Sequence, residues 1–411
     1  MSAPLDSAAG NWPRAARAAL GLWGLALIII LCRGYLQPTR NSVYPIFANA
    51  GREWLAGVDL YDKTLQRPVQ DHYRYAPIVA AAFSPLTALD DPLAAALWRV
   101  INGAVYLAGL VVFLRTVCPG SARLDSRATA LLALALLPLS VGSLNNGQPN
   151  ALVAGCLLLA AAAVVRERWA AAGVCLAVPV LFKVYPLAVV LLFFLIRPRQ
   201  LGWRTGLVVA AGCLAPFVLH DPDYVSQIYR TWFSQVSGDD RREFALEFGY
   251  RDFHTLTRVA GMPMAPLPYL ALQLAAAAGV AVLVLRGRWL GWPVAQQCRA
   301  ALDLGLGWII LFGPATENCT YILLAPTLAL ATVEALDGKL ARWRCGCVLG
   351  ALALFIGTAL VTAVPMGRYV SYWLMPIAGL VLVAERVSYH ARFASCAAIV
   401  AVEEAPFARA A

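Results

Sequence analysis

Long apolar stretches joined by short polar, arginine-rich segments run from one end of the chain to the other. The first, about 16–32, follows Arg14 and Arg17. No small-x-small cleavage site stands behind it, so it reads as a retained first span with a cytoplasmic amino end. Further runs fall at about 93–115, 128–142, 150–165, 169–183, 184–196, 205–219, 264–285, 300–314, 320–335, 346–362 and 371–385. With ~20 residues to a crossing, the pattern predicts an all-α polytopic membrane protein of about twelve transmembrane helices. Residues 1–385 would form one transmembrane domain, with 386–411 as a cytoplasmic tail. Two long polar segments, 33–92 and about 220–262, interrupt the rhythm and are expected as outer loops.

The first of these loops has internal structure. Val43, Phe47, Ala50 and Trp54 recur at helical spacing while Asn49, Arg52 and Glu53 face the other way, and Ser42 with Pro45 marks a helix start. That predicts an amphipathic helix lying in the membrane interface. Pro77–Thr87 is apolar, bracketed by proline and too short to cross, which predicts a second interfacial or re-entrant helix. Two further features are unusual for a plain bundle. The hairpin 169–183 and 184–196 cannot reach the far interface at 1.5 Å per residue, so its tip, with Lys183, should be sunk below the outer surface. The run Asn145-Asn146-Gly147-Gln148-Pro149-Asn150 puts four amides between two spans, where each needs a wet cavity or a protein partner.

Composition agrees with a bilayer as the main solvent. The nine apolar types supply 60% of the 411 residues and charged types only 14%, about half the usual share. This excludes a soluble enzyme, a disordered chain and a disulfide-stapled secreted domain. The formal charge of +10 does not indicate nucleic acid, because the basic residues are strewn in twos and threes between apolar runs. Threaded alternately from a cytoplasmic amino end, cytoplasmic segments hold nineteen of the 33 basic residues and the short outer loops hold only Arg368, as the positive-inside rule requires. Both chain ends are then cytoplasmic in an inner or plasma membrane. Ten cysteines without a Cys-x-x-Cys pair and four scattered histidines give no zinc spacing, so no metal site or cofactor is expected.

Ionisable residues inside a membrane are functional candidates by default. They converge on the outer half: Lys183, the amide cluster, Glu317, and Arg40, Asp59, Asp62, Asp71, His72 and Arg74 of the first outer segment. Cations and carboxylates around a cavity open to lipid suit an amphiphile with an anionic head, above all a lipid phosphate. Each residue also has a plainer role open to it. Lys183 can snorkel and pair with a carboxylate, Asn145 and Gln148 can glue spans together, and the acids can be solvated loop charges.

Several of these pieces carry a resemblance. Val43-Tyr44 with Ala48, then Gly57-Val58-Asp59-Leu60-Tyr61, resemble the interfacial helix and Gly-x-x-x-Tyr end of glycosyltransferase family 87. Tyr73-Arg74-Tyr75-Ala76-Pro77 with Pro85 is similar to that family's Tyr-x-Pro segment, and Asn146-Gly147-Gln148-Pro149-Asn150 and Leu181-Phe182-Lys183 through Pro186 follow in the family's order. The resemblance covers about residues 40–200. It implies a C-type membrane glycosyltransferase that takes a sugar from a polyprenyl-phosphate donor, as mycobacterial polyprenol-phosphate-mannose-dependent mannosyltransferases do. A hexose, mannose among the choices, would pass to a lipid or glycan acceptor at the outer face, with membrane lipids around and no nucleic acid involved. On that reading Arg74, Lys183 and Arg40 are candidates for the donor phosphate, and Asn146, Gln148, Asn150, Tyr75 and Tyr185 for sugar or acceptor.

The chain departs from the family pattern in two places. Arg40 and Asn41 stand where relatives often carry an acid before the interfacial-helix tyrosine. The late loop, commonly Ser-Pro-x-Ser-Trp-acid-His, reads Gly313-Pro314-Ala315-Thr316-Glu317-Asn318-Cys319. Transfer with inversion is a single displacement at the anomeric carbon and needs one carboxylate to take the acceptor proton. Asp59, before Asp62, lies just after the amphipathic helix at the water boundary and is the expected base, with Asp71 and Glu317 in reserve. The second loop's Asp239 and Asp240 run with Arg241 and Arg242 and read as solvated. Phosphate leaves without metal assistance in principle. A transporter or flippase for an anionic amphiphile is the rival reading, but it predicts paired broken helices in both halves, and the short hairpin occurs once. An inactive homologue acting as a scaffold would explain the missing acid but not a sunken lysine beside amides.

Overall fold

The computed structural model describes residues 12–62, 72–118, 125–238, 245–246, 250–314, 316–362 and 367–404, with side chains throughout except at 368 and 394–404. Regular structure among them is helical: α1 Trp12–Leu36, α2 Tyr44–Ala56, α3 Pro77–Phe83, α4 Asp91–Val117, α5 Ser126–Asn146 and α6 Asn150–Val165. There follow α7 Trp169–Phe182, α8 Leu187–Ile196, α9 Pro198–Leu214, α10 Pro216–Leu219, α11 Pro222–Gly238 and α12 Phe253–Val259. The chain continues with α13 Pro266–Trp289, α14 Val294–Phe312, a 3-10 helix Asn318–Leu324 that leads into α15 Ala325–Leu336, α16 Arg342–Val361 and α17 Gly367–Glu404.

Eight of these are long and apolar enough to cross a membrane: α1, α4, α5, α9 with α10, α13, the 3-10 helix with α15, α16 and α17. The other predicted crossings also fall on helices. Of these, α6, α7 and α8 are shorter, at 16, 14 and 10 residues, and α14 carries Arg299 and Asp303 in its first turns. The boundary expected at 386 coincides with no break in the backbone, because α17 runs through it with Arg386 and His390 fully enclosed.

Local sequence explains where the helices begin and end. Proline opens α3, α9, α10 and α13, where its missing N–H costs nothing. Asp125 caps α5 by accepting the Ala128 N–H at 2.7 Å. Gly57 and Gly147 close α2 and α5 in the left-handed region, at φ +66° and +73°, which glycine reaches without strain.

Packing follows residue size. A Cβ placed on Gly109 of α4 would lie 2.4 Å from the Gly155 carbonyl oxygen, and one on Gly155 of α6 would lie 2.4 Å from that of Val105. The two backbones therefore touch, the close approach that small residues permit between membrane helices. This leaves α6 buried on nearly every face, while α13 exposes most of its apolar surface, as a lipid-facing helix does.

Charge collects inside the carboxyl-terminal helices. Arg299 Nη1 pairs with Glu334 at 2.6 Å, Arg386 Nη1 with Glu334 at 2.9 Å, and Arg344 Nη2 with Glu385 at 2.6 Å. Asp303 accepts Thr327 Oγ1 at 2.7 Å and faces His390 Nε2 at 3.1 Å. The Tyr389 ring lies 4.5–5.2 Å from all three guanidinium carbons. Arg299, Arg344 and Arg386, which the positive-inside count treats as loop charges, are thus buried and joined to acids.

Gly155→Val is expected to push α4 and α6 apart and to destabilise the protein by about 1–3 kcal/mol, seen as a lower thermal midpoint in detergent. Gly142→Ala, where nothing lies within 4 Å of the new Cβ, should leave that midpoint nearly unchanged.

Candidate active site

The amide turn is built first. Trp98 Nε1 donates to the Gly147 carbonyl at 2.7 Å, and Arg99 donates to the Asn145 carbonyl at 2.9 and 3.1 Å and to Ser42 Oγ at 2.9 Å. The Val43 N–H reaches the Asn146 carbonyl at 3.0 Å. These contacts bind the last carbonyls of α5, which have no partner within the helix, and fix where Gln148 and Asn150 point.

Asn150, the first residue of α6, has no solvent exposure. Its Oδ1 accepts both Lys183 Nζ and the Tyr185 hydroxyl, each at 2.8 Å, and its Nδ2 donates to Gln148 Oε1 at 2.6 Å. Gln148 Nε2 in turn donates to Glu317 Oε2. Glu317 caps the 3-10 helix in a capping box with Thr320, whose Oγ1 accepts the Glu317 N–H at 3.2 Å. One chain of hydrogen bonds therefore runs from the hairpin tip through the amide turn to the late loop.

Lys183 follows directly on α7, which carries Pro179 near its end. Its ammonium lies 5.9 Å from the Tyr75 ring centre and 5.4 Å from that of Tyr185, within cation–π range. Tyr75 packs on Phe47 of α2 at 4.6 Å between ring centres, and the Tyr61 hydroxyl holds the Tyr75 carbonyl at 2.7 Å. Arg74 is tied through its carbonyl to Trp232 Nε1 at 3.3 Å.

The second outer segment packs against the late loop and α17. The Arg251 N–H donates to the Thr316 carbonyl at 2.6 Å, and the Tyr321 hydroxyl donates to the Arg251 carbonyl at 2.7 Å. The Arg251 guanidinium reaches Ser371 Oγ at 2.8 and 3.1 Å and lies over Tyr372. Next in the chain, Asp252 caps α12 by accepting the Thr255 N–H at 2.7 Å. Burial pushes the Asp252 carboxyl above its ordinary range, against the hydrogen bonds from Thr255. His254 packs edge-on against Tyr269.

These walls enclose a cavity of about 420 Å³, within the range of small-ligand sites. Of the residues expected from the sequence, Arg74, Tyr75, Gln148, Lys183, Tyr185 and Glu317 line it together, with His72. Asn150 lies beneath, holding three of them. Asn146 is spent elsewhere, donating to the Asn41 carbonyl at 3.1 Å, and Arg40 is exposed. Asp59 and Asp62 lie outside the lining: the left-handed turn at Gly57 carries the chain aside, and Asp59 Oδ1 accepts the Tyr61 N–H at 2.9 Å. Asp71, Asp239, Asp240, Arg241, Arg242 and Ala315 fall outside the described residues.

Sequence reasoning missed Asp252, His254 and Tyr269 in the lining, and Trp98 and Arg99 behind the amide turn. The one trace of Asp252 in the sequence is Asp-x-x-Thr before a short apolar run, an N-cap pattern. Among the described residues no group of three or more His, Cys, Asp and Glu is placed to hold a metal ion.

The family model of glycosyltransferase family 87 matches residues 73–314, more than half of the chain. The chain belongs to glycosyltransferase family 87. The matched stretch carries Arg74, Gln148, Asn150, Lys183 and Asp252, while α2 and Glu317 lie beyond it. No curated protein matches. Among solved structures, ArnT from Cupriavidus metallidurans in the apo state aligns at 13% identity over 91% of this chain and 78% of that one, with a TM-score of 0.36. That likeness is too slight to argue from. Family membership with eight candidate spans makes this a multi-pass membrane protein of a glycosyltransferase family.

Asn150→Leu keeps much of the side-chain volume and leaves Lys183, Tyr185 and Gln148 each short of a partner. With about 1–3 kcal/mol for a buried polar group left unsatisfied, the thermal midpoint should fall clearly, whereas Asn146→Leu should cost much less.

Proposed function

We propose that the protein transfers a hexose, such as mannose, from a polyprenyl-phosphate donor to a lipid or glycan acceptor at the outer face of the inner or plasma membrane, by one inverting displacement and without a cofactor. The observation that carries this reading is the meeting of Arg74 and Lys183 with carboxylates and amides around one cavity in a family 87 chain. Arg74 offers a fork and Lys183 a point charge to the phosphate oxygens. As the anomeric C–O bond breaks, the phosphate gains a second negative charge, so both cations hold the transition state and the leaving group more strongly than the ground state. Gln148 supplies hydrogen bonds for sugar hydroxyls, with Asn150 fixing it from below, and Tyr75 and Tyr185 supply apolar ring surface.

The same reading gives the placement in the bilayer. The four helices short of the eight complete twelve crossings within a single domain, α2 lies in the interface, and both ends are cytoplasmic. It is supported by the basic residues of the short joints and by α2, which buries Phe47, Ala50 and Trp54 while Arg52 is exposed.

Purified protein given labelled polyprenyl-phosphate sugars should consume at least one of them. Binding without consumption would indicate a carrier instead. Lys183→Met and Arg74→Gln should each weaken donor binding about 10- to 100-fold, the loss expected for one charge-assisted contact. Unchanged affinity in both would refute the phosphate assignment.

A reporter active only in the cytoplasm, fused after Ala411, should work. If it stays silent while an outer-face reporter at the same place is active, the threading is wrong by one crossing.

A further inference from the structure

With the donor phosphate assigned to the cavity's cations, the acceptor needs a carboxylate lining the same cavity. Among the described residues, two carboxylates line the cavity, Glu317 and Asp252. Glu317 is already committed, since it receives the Gln148 amide and caps the 3-10 helix through the Thr320 N–H. A carboxylate that takes up a proton would release the Gln148 amide and, through Asn150, loosen Lys183 at the moment the phosphate must be gripped.

Asp252 is free of that chain. Its Oδ1 accepts the Thr255 N–H, the Thr255 side chain also hydrogen-bonds the carboxylate, and both residues line the cavity that an acceptor hydroxyl would enter. Its backbone is held on both sides: Arg251 binds Thr316, Tyr321 and Ser371, and Thr257 Oγ1 closes on the His254 carbonyl at 2.8 Å. The position is therefore fixed against the late loop and α17, as a proton acceptor needs.

We infer that Asp252 is the general base, taking the proton of the acceptor hydroxyl. This inference rests on the glycosyltransferase reading above. In the step, the acceptor O–H proton passes to an Asp252 carboxylate oxygen as the acceptor oxygen bonds to the anomeric carbon. The anomeric carbon–oxygen bond breaks with its electron pair going to the phosphate, and polyprenyl phosphate departs as a dianion between Arg74 and Lys183. The proton then leaves Asp252 for water. Burial raises the basicity of this carboxylate, moving it toward what proton transfer near neutrality asks. Glu317 is a positioning residue for Gln148.

The test exploits the cap. Asn and Ser cap a helix about as well as Asp, so Asp252→Asn and Asp252→Ser keep α12 and remove only the proton acceptor. Full-length protein in lipid nanodiscs receives the labelled donor that wild type consumes and one of two nucleophiles. One is a membrane glycolipid extract, whose hydroxyls must lose a proton; the other is azide, which carries none. Both variants should bind donor normally and transfer to glycolipid about 100-fold or more slowly, yet form glycosyl azide at the wild-type rate or faster. Transfer to glycolipid within about twofold of wild type in either folded variant overturns the assignment. So does an equal loss with both nucleophiles, which marks Asp252 as structural. If wild type consumes no donor at all, the function itself fails, a result separate from either.

Discussion

A polar group enclosed among apolar helices must find its partners within the protein, and in this chain Asn150 is where that constraint is tightest. Its carboxamide, without exposure, joins the hairpin tip at Lys183 and Tyr185 to Gln148 and from there to Glu317. Three segments remote in sequence, the amide turn, the hairpin tip and the late loop, are joined through this one side chain and its neighbour Gln148. The floor of the cavity and the staple of the fold are therefore the same object. Groups aimed into the cavity need no separate scaffold, because the desolvation that would punish a broken link also holds each donor and acceptor in place.

The two halves of the bundle solve the same solvent problem differently. Toward the amino end, α4 and α6 come together through Gly109 and Gly155, with dispersion and shape as the adhesive. Toward the carboxyl end, α14 to α17 are joined by three arginines and three acids around Tyr389. That arrangement tolerates no single deletion, since losing one partner strands a buried charge. Ser371, which holds the cavity wall, and Glu385, in the ionic knot, stand fourteen residues apart on α17, about 21 Å along the axis.

What could be read from the sequence was whatever repeats locally. Apolar runs placed the long helices, the alternating faces of 43–56 anticipated α2 at Tyr44–Ala56, and Pro77–Thr87 became α3 and the 3-10 turn Ser84–Ala88. Lys183, Gln148 and Glu317 stood out because polar groups between apolar runs are costly. Asp252 did not; nothing local reveals that Arg251 beside it is gripped by Ser371, 120 positions away. Arg299, Arg344 and Arg386 were misread for the same reason. A lone arginine near a span end is identical in sequence whether it faces water or meets Glu334 or Glu385 inside. Asp59 shows the converse: it lies just after α2, but the turn at Gly57 carries it outside the cavity lining.

The short hairpin has a consequence for the lipid around it. Helices α7 and α8, of 14 and 10 residues, rise only about 21 and 15 Å, against ~30 Å of hydrocarbon. If the hairpin crosses the bilayer as proposed above, neighbouring acyl chains must shorten or tilt to meet it, at a fraction of a kcal/mol per ångström of mismatch, so the leaflet would dip beside the tip. On that placement head groups and water would come down with it to the depth of Lys183. A molecule carried on a long isoprenoid tail can then present its charged end sideways at the dip while the tail never leaves the oil.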